Sequence, residues 1–150
     1  MTESISVTIT RQEKYKFLVD FGGAIPQSVA DLSPPLGDGA GPTPEHLLAA
    51  AVANCMSASF VFAHARYKED PGPVTTTVTC EIGRNDKNRQ RVTNLAIDIT
   101  LGVAPEALAH IERTLATFEE FCTVSQSVKV GIPLSVTVKA PDGRVLKQPG

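Results

Sequence analysis

Two cysteines, Cys55 and Cys122, are the residues of this sequence best suited to carry out chemistry. Cys55 lies in the apolar run LLAAAVANCMSASFVFA, and Cys122 ends the amphipathic run IERTLATFEEFC. Both runs predict helices with a buried face, and two buried thiols on adjacent elements indicate redox chemistry. If the two helices pack with their axes ~8–10 Å apart, the cysteines could come within disulfide range.

The type of residue does not by itself make either thiol functional. A single cysteine on a buried helix more often serves as a small apolar residue. Cys80 fits that structural interpretation, because it takes an inward position in a predicted strand without a polar neighbour suited to activating it. No CxxC or HxxxH spacing occurs among the cysteines and histidines, so the sequence predicts no metal site.

A buried thiol needs a positive or hydrogen-bonding neighbour to bring its pKa below ~8.5. Arg11 is the only arginine before Cys55 and would lie in the turn of a first hairpin, where it either folds over a site or remains a solvated surface charge. Glu45 is placed to complement the dipole of the central helix, which is a structural explanation for it. Ten residues of helix, a rise of ~15 Å, separate Glu45 from Cys55. We therefore expect Glu45 to assist Cys55 only across a subunit interface.

Alternating apolar and polar residues predict the strands that position these groups. An N-terminal hairpin forms around the polar turn RQEK at 11–14, a second hairpin joins strands over 74–82 and 95–101, and a last strand covers 132–138. Glycines and prolines are dense in residues 22–42 and predict a long irregular loop. Loops of this length usually close over a site or wrap around a partner.

Two helices separate these strands. A threonine suited to cap a helix precedes Pro44, which suits the first helical position, and this helix should run to about Tyr67. Pro105 should open the second helix, in which apolar residues recur at spacings of three and four up to Cys122. The segment TVSQSVKV that follows is ambiguous and could add one helical turn. The order ββ, α, ββ, α, β predicts an α+β fold.

Composition limits the classes of function. With 42% apolar residues, 20% charged residues and a formal net charge of −2, the chain fits one soluble domain over residues 1–150. Lysines and arginines are scattered, so we expect no binding to nucleic acid or to an anionic membrane surface. The N-terminal residues lack the features of a signal peptide, which favours a cytoplasmic protein.

One uncharged stretch, residues 47–63, reaches the lower length limit of ~17 residues for a transmembrane helix. Its alanines, serines and asparagine make it far less lipophilic than a span rich in leucine, isoleucine and phenylalanine. We interpret it as the central helix of a soluble core, covered by other elements on every side.

The sequence resembles a known family in two ordered motifs. The segment PTPEHLLAAAVANC, followed by two strands, a second helix and EEFCTVSQSVKVGIPLSVTV, is similar to the OsmC/Ohr family of thiol-dependent hydroperoxide reductases. The likeness covers most of the chain and is strongest where Cys55 follows Glu45 by ten residues and where Cys122 stands in a Cys-x-Val-Ser setting. It implies an intertwined homodimer in which highly curved antiparallel sheets wrap two central helices, with active sites at the dimer interface.

The resemblance also implies roles for individual residues. Cys55 would be the peroxidatic thiolate that attacks an organic hydroperoxide or hydrogen peroxide, and Cys122 would resolve the resulting sulfenic acid as a disulfide. An external dithiol would then reduce that disulfide, and no cofactor or metal is implied. Peroxidase members activate the thiolate with an arginine paired to a glutamate; Glu45 matches the glutamate, and the arginine is carried over to Arg11.

Two positions depart from the pattern of the peroxidase members. Met56 and Thr123 follow the two cysteines, where phenylalanine and proline are common, and this favours the broader OsmC-like branch of the family. Two alternatives to a peroxidase therefore stay open. One is a non-catalytic thiol redox sensor or a small-ligand binding dimer, and the other is a structural or interaction protein whose cysteines only fill the core.

Overall fold

The computed structural model describes residues 2–149, and the chain divides into two compact units, the first ending at Leu47 and the second beginning at Leu48. Each unit contains its own sheet. The elements form the α+β fold predicted from the sequence. A single domain over residues 1–150 stays a prediction.

The first unit contains a three-stranded antiparallel sheet. Its strands are β1 (Thr8–Glu13), β2 (Lys16–Asp20) and β3 (Ser28–Ala30), in the spatial order β1, β2, β3. The short strand β3 lies inside the segment predicted to be irregular throughout, so that prediction is wrong for three residues.

The predicted hairpin is present, but its turn lies further along the chain than RQEK at 11–14. Glu13 pairs with Lys16, which leaves a two-residue turn with Lys14 at φ 46°. Tight two-residue turns match the twist of the flanking strands and require positive φ. Arg11 therefore lies within β1, opposite Phe17, and the prediction that it occupies the hairpin tip is wrong.

A buried carboxylate organises the loop that follows β3. Asp31 is 3% exposed, and its two oxygens accept hydrogen bonds from the backbone N–H groups of Leu32, Asp38 and Ala40 at 2.7–3.1 Å. These bonds satisfy donors that a loop rich in glycine and proline cannot pair by itself. The turn is tight, since a Cβ at Gly37 would overlap the carbonyl oxygen of Leu32.

The central helix α1 spans Pro44–Ala65, close to the predicted bounds. The predicted cap at Thr43 is confirmed: its hydroxyl accepts a hydrogen bond from the backbone N–H of His46 at 3.2 Å. The exchange is reciprocal, because the N–H of Thr43 donates to Nδ1 of His46 at 3.0 Å. Two of the donors left open at a helix start are thereby satisfied.

Only one face of α1 is buried. Val52, Met56 and Phe60 lie in the core, whereas Val61 and Phe62 are 43% and 53% exposed. The prediction that other elements cover α1 on every side is therefore wrong for the single chain. By length and composition α1 could cross a membrane, but this is weak support for a span, because core helices of soluble proteins pass the same test.

The second unit contains a four-stranded sheet in the spatial order β4, β5, β6, β7. The strands are β4 (Thr75–Arg84), β5 (Gln90–Thr100), β6 (Leu134–Lys139) and β7 (Val145–Lys147). Neighbouring strands are antiparallel except β5 and β6, which are parallel. The expectation of purely antiparallel sheets fails for this pair, because the connection from β5 to β6 carries helices, and such crossovers bring the chain back in the same direction.

That connection contains short helical pieces instead of the one predicted helix. A 3₁₀ turn at Pro105–Ala107 precedes α2 (Ile111–Thr117), a second 3₁₀ turn at Phe118–Phe121 follows it, and α3 spans Thr123–Val128. Cys122 has extended backbone angles, φ −85° and ψ 100°, so it ends one helical segment and caps the next. The prediction of one continuous helix from Pro105 to Cys122 is wrong, whereas the extra helical turn suggested for TVSQSVKV is confirmed as α3.

The core of the second unit lies between α1, the helical connection and one face of the sheet. Alternate residues of β5, Leu95, Ile97 and Ile99, are at most 1% exposed, as their spacing predicted. Phe118 packs edge-on against Phe60 of α1, with ring centroids 5.0 Å apart. This contact fixes the 3₁₀ turn that precedes Cys122 against the helix that carries Cys55.

Candidate active site

The structure brings Cys55 and Cys122 together at the start of α3. The thiol of Cys122 caps this helix and accepts a hydrogen bond from the backbone N–H of Ser125 at 3.3 Å. The sulfur of Cys55 accepts a hydrogen bond from the backbone N–H of Val124 at 3.4 Å. Two successive peptide donors thus serve two thiols that come from separate elements, and both cysteines are free.

The two thiols differ in their surroundings. Cys122 is fully buried, and Cys55 is half-buried. Burial raises the pKa of the Cys122 thiol above its ordinary value, and the adjacent Cys55 thiol raises this pKa further, against the opposing effect of the Ser125 N–H. These surroundings keep the Cys122 thiol protonated, and a protonated thiol is a poor nucleophile.

Cys55 opens onto an apolar pocket of about 370 Å³. Its lining consists of residues from one face of α1 and one aromatic ring from the 3₁₀ turn before Cys122: Cys55, Ala58, Ser59, Phe62 and Phe121. The two phenylalanine rings meet edge to face with centroids 5.7 Å apart, and the Arg66 guanidinium lies 5.3 Å from the centroid of the Phe121 ring. Most of the surface that lines this open pocket is carbon, and the Cys55 side chain is part of the lining.

Sequence reasoning missed this lining, although a signal for part of it was present. Cys55, Ser59, Phe62 and Arg66 follow one another at spacings of four, three and four, which places them on one side of a helix. Phe121 carries no comparable signal, because its position depends on the break in the helical connection just before Cys122.

The two other predicted site residues, Arg11 and Glu45, lie in the first unit. Nε of Arg11 donates to the carbonyl oxygen of Lys14 at 2.7 Å, which gives this exposed arginine a local role in closing the hairpin turn. Glu45 occupies the first turn of α1.

Cys80 takes the structural position predicted for it. It lies on β4 opposite Leu95 of β5 and packs against the core of the second unit.

The sequence matches the model of a known protein family. Residues 37–137 match the family model described as OsmC-like protein. The sequence matches none of the curated proteins with which it was compared.

Solved structures share the whole fold at low sequence identity. An OsmC-like protein of unknown function from Vibrio cholerae is 20% identical with a TM-score of 0.70, covering 90% of this chain and 99% of its own. An OsmC-like protein from Mycoplasma pneumoniae is 15% identical with a TM-score of 0.74, covering 93% and 99%. The organic hydroperoxide resistance protein OhrB of Bacillus subtilis is 15% identical with a TM-score of 0.67, covering 91% and 98%. Since the family model spans more than half of the chain and these folds agree with it, the protein belongs to the OsmC-like family.

Proposed function

We propose that the protein is a thiol-dependent hydroperoxide reductase in which Cys55 is the peroxidatic thiol and Cys122 the resolving thiol. The OsmC-like family match and the fold shared with organic hydroperoxide resistance proteins support a role in peroxide resistance. The observation that carries the assignment of roles is the unequal burial of two thiols at the start of one helix.

In the first step, the Cys55 thiolate attacks one oxygen of the peroxide O–O bond. An S–O bond forms, the O–O bond breaks, and the departing alkoxide takes a proton to leave as an alcohol. Cys55 becomes a sulfenic acid, so the sulfur is oxidised by two electrons and the peroxide is reduced by two. The backbone N–H of Val124 donates a hydrogen bond to the Cys55 sulfur at 3.4 Å and so helps to hold it in position for the attack.

In the second step, the sulfur of Cys122 attacks the sulfenic sulfur. An S–S bond forms, and the hydroxyl of the sulfenic acid leaves as water with the proton of the Cys122 thiol. An external dithiol then regenerates both thiols by exchange through a mixed disulfide. Burial of Cys122 suits this order of events, since a thiol kept protonated does not compete with Cys55 for the peroxide.

The pocket favours organic hydroperoxides over hydrogen peroxide. Ala58, Phe62 and Phe121 line the pocket beside Cys55, and burying an alkyl or aryl group against these side chains is favourable. Hydrogen peroxide would leave those side chains facing water.

Three further assignments belong to the same proposal. The activating roles of Glu45 and Arg11 that the resemblance implies remain proposals, each tested by its own alanine variant. The protein acts as a homodimer, and the exposed stripe of α1 formed by Ala51, Ala58 and Val61 supports this, because uncovered apolar helix faces mark interfaces. Family membership supports a soluble protein, and we place it in the cytoplasm.

The experiment that tests the function measures consumption of a dithiol with cumene hydroperoxide as substrate. Wild type should turn over, Cys55→Ser should fall to the uncatalysed rate, and Cys80→Ser should match wild type. Cys122→Ser should form the sulfenic acid once and then overoxidise, which intact-mass spectrometry detects. A Cys55 that reacts no faster than Cys80 would refute the proposal.

Sedimentation velocity tests the dimer, which Val61→Glu should convert to a monomer.

A stoichiometric thiol sensor is the second candidate function. Within residues 48–149 of the second unit, backbone N–H groups donate to the two thiols, and no arginine or lysine side chain does. A sensor would form the Cys55–Cys122 disulfide once per chain without turnover, so the same assay with excess dithiol separates the two functions.

A further inference from the structure

Ser125 carries an unpaired hydroxyl in the interior of the second unit. The residue is 1% exposed, and within residues 48–149 its Oγ atom has no hydrogen-bond partner. Its backbone groups are paired, because its N–H donates to the Cys122 sulfur at 3.3 Å and its carbonyl oxygen accepts from the N–H of Lys129 at 2.9 Å. Burying a polar atom without a partner costs free energy, which points to a role for this hydroxyl outside the resting fold.

The nearest chemistry to this hydroxyl is the sulfur of the proposed resolving thiol. Cys122 caps α3, and Ser125 is the third residue of that helix, the position whose N–H a capping side chain binds. Burial is the largest influence on the pKa of Cys122 and raises it, and the Cys55 thiol raises it further. The Ser125 hydroxyl is the strongest influence that lowers this pKa, ahead of the Ser125 N–H. Both polar groups of one serine therefore act on one sulfur.

The strength of a hydrogen bond to sulfur depends on the charge of the sulfur. A neutral thiol is a weak acceptor, so the hydroxyl gains little from Cys122 in the resting protein. A thiolate is a strong acceptor, because hydrogen bonds to a charged group are about twice as strong as those between neutral groups. A hydroxyl hydrogen rotates to suit its partner and can turn towards the sulfur when the charge develops. An interaction that strengthens only as Cys122 becomes nucleophilic accelerates the step in which Cys122 attacks.

We infer that the Ser125 hydroxyl assists resolution by donating a hydrogen bond to the Cys122 sulfur as this sulfur attacks the sulfenic acid of Cys55. The S–S bond forms, the S–O bond of the sulfenic acid breaks, and its hydroxyl leaves as water with the proton of Cys122. Ser125 keeps its own proton throughout. This inference rests on the proposed peroxidase function, because it assigns a residue to the second step of that reaction. It predicts that the loss of the hydroxyl slows resolution and leaves the attack on the peroxide unchanged.

Single-turnover kinetics separate the two steps. Reduced protein is mixed with one equivalent of cumene hydroperoxide, dimedone traps the sulfenic acid, and intact-mass spectrometry measures the disulfide. At pH 7, Ser125→Ala should form the sulfenic acid at the wild-type rate and the disulfide about tenfold more slowly, the loss of one hydrogen bond to a charged group. Ser127→Ala is the matched control and should behave as wild type, because it removes an exposed hydroxyl of the same helix that donates to the Thr123 carbonyl oxygen at 2.9 Å. Equal slowing of both steps in Ser125→Ala, or no slowing of disulfide formation, would overturn the inference.

A second measurement does not need peroxidase activity. With Cys55→Ala and Cys80→Ala in place, Cys122 is the only thiol of the chain, and carbon-13 at its Cβ lets NMR follow its ionisation with pH. Adding Ser125→Ala should raise the pKa of Cys122 by about one pH unit, whereas adding Ser127→Ala should leave it unchanged. If wild type reduces no peroxide but Ser125→Ala still raises this pKa, the peroxidase proposal fails and the hydrogen bond from Ser125 to the thiolate stands. If wild type turns over and Ser125→Ala changes neither the pKa nor disulfide formation, the role of Ser125 fails and the peroxidase proposal stands.

Discussion

The backbone N–H of Val124 donates a hydrogen bond to the sulfur of Cys55 at 3.4 Å, although the two residues lie 69 positions apart in the chain. Val124 occupies the second position of α3, the helix that Cys122 caps with its own sulfur. The donors at a helix start have no partners within the helix, so they are available to an outside acceptor. One short helix therefore aligns both thiols through its peptide groups.

Replacing Val124 with proline removes the donor to Cys55 and keeps an apolar side chain at a position that packs against the core. Proline is tolerated in the first turn of a helix, where its missing N–H is not needed by the helix itself. Val124→Pro should slow alkylation of Cys55 by about tenfold, the loss of one hydrogen bond to a charged group. The measurement is the rate of iodoacetamide labelling at Cys55, followed by peptide mass spectrometry.

Thr123→Pro is the matched control for that variant. It introduces the same ring one residue earlier and leaves the Val124 donor in place, so Cys55 should label at the wild-type rate. Equal slowing in both variants would mean that the backbone of α3, and not the hydrogen bond, sets the reactivity of Cys55.

The raised pKa of Cys122 predicts a loss of stability at alkaline pH. Burial and the Cys55 thiol raise this pKa in the folded protein above its ordinary value of 9.0. The unfolded chain therefore releases the proton first, and the contribution to stability, complete below pH 9, is lost as the pH rises through the folded pKa. Cys122→Ser has no thiol to ionise, so its free energy of unfolding should fall less than that of wild type above pH 9.

Urea unfolding at pH 8, 9 and 10 measures this difference, with dithiothreitol present to prevent oxidation. Cys122→Ala, which also lacks the thiol, is the second variant, and its stability should fall with pH in parallel with Cys122→Ser. If Cys122→Ser followed the wild-type curve throughout, ionisation of Cys122 would not be the cause of the alkaline loss.

The lowered pKa of the Asp31 carboxyl predicts a loss of stability at acid pH in the first unit. The N–H of Ala40, with those of Leu32 and Asp38, holds the pKa of the Asp31 carboxyl below its usual value against the effect of burial. Its contribution to stability is therefore present above the unfolded pKa, near 3.8, and is lost as the pH falls through the folded value. Asp31→Asn should show faster amide exchange in residues 31–42 at pH 7 and a weaker dependence on acid than wild type.

Hydrogen exchange between pH 7 and pH 3 gives the readout for that loop. Asp38→Asn is the control, since the Asp38 side chain makes an exposed ion pair with Lys14 at 3.4 Å, and the substitution keeps the backbone N–H that donates to Asp31. If residues 31–42 exchanged at the same rate in both variants, the Asp31 carboxylate would not be what orders this loop.

Local signals account for much of the fold. Thr43 and Pro44 fixed the start of α1 because caps are read from neighbouring residues, and the alternation through Leu95, Ile97 and Ile99 identified the inner face of β5. The change from α2 to a 3₁₀ turn at Phe118 had no such signal. A 3₁₀ turn keeps apolar residues at nearly the same spacing as an α-helix, so periodicity could not show that α2 ends at Thr117.

The site was predicted as far as residue types allowed. Cys55 and Cys122 stand out because thiols are rare and reactive, and the structure confirms that they lie together. Phe62 and Phe121 were not foreseen, since an apolar side chain lines a pocket only when tertiary packing leaves space beside it. Arg11 was assigned to the hairpin turn, which forms at residues 14 and 15 instead. The sequence did not show this shift, because a small change in the position of the turn changes the register of the hairpin.

The segment before Cys122 is anchored by a lysine from the sheet. Removing this lysine should therefore lower the free energy of unfolding more than removing a lysine in an exposed ion pair. Nζ of Lys147 on β7 lies 2.6 Å from the Glu119 carboxylate and donates to the Leu115 carbonyl oxygen at 2.7 Å. The pair is partly buried, and one ammonium serves two acceptors, so Lys147→Met should cost about 1 kcal/mol of unfolding free energy.

Lys139 gives the matched control, because its pair with Asp98 is more exposed and longer, at 3.7 Å. Lys139→Met should change the free energy of unfolding by less than ~0.5 kcal/mol, as for most exposed ion pairs. Urea unfolding of both variants at pH 7 makes the comparison. A Lys147→Met variant as stable as Lys139→Met would show that packing of Phe118 against Phe60 holds the segment before Cys122 without help from the sheet.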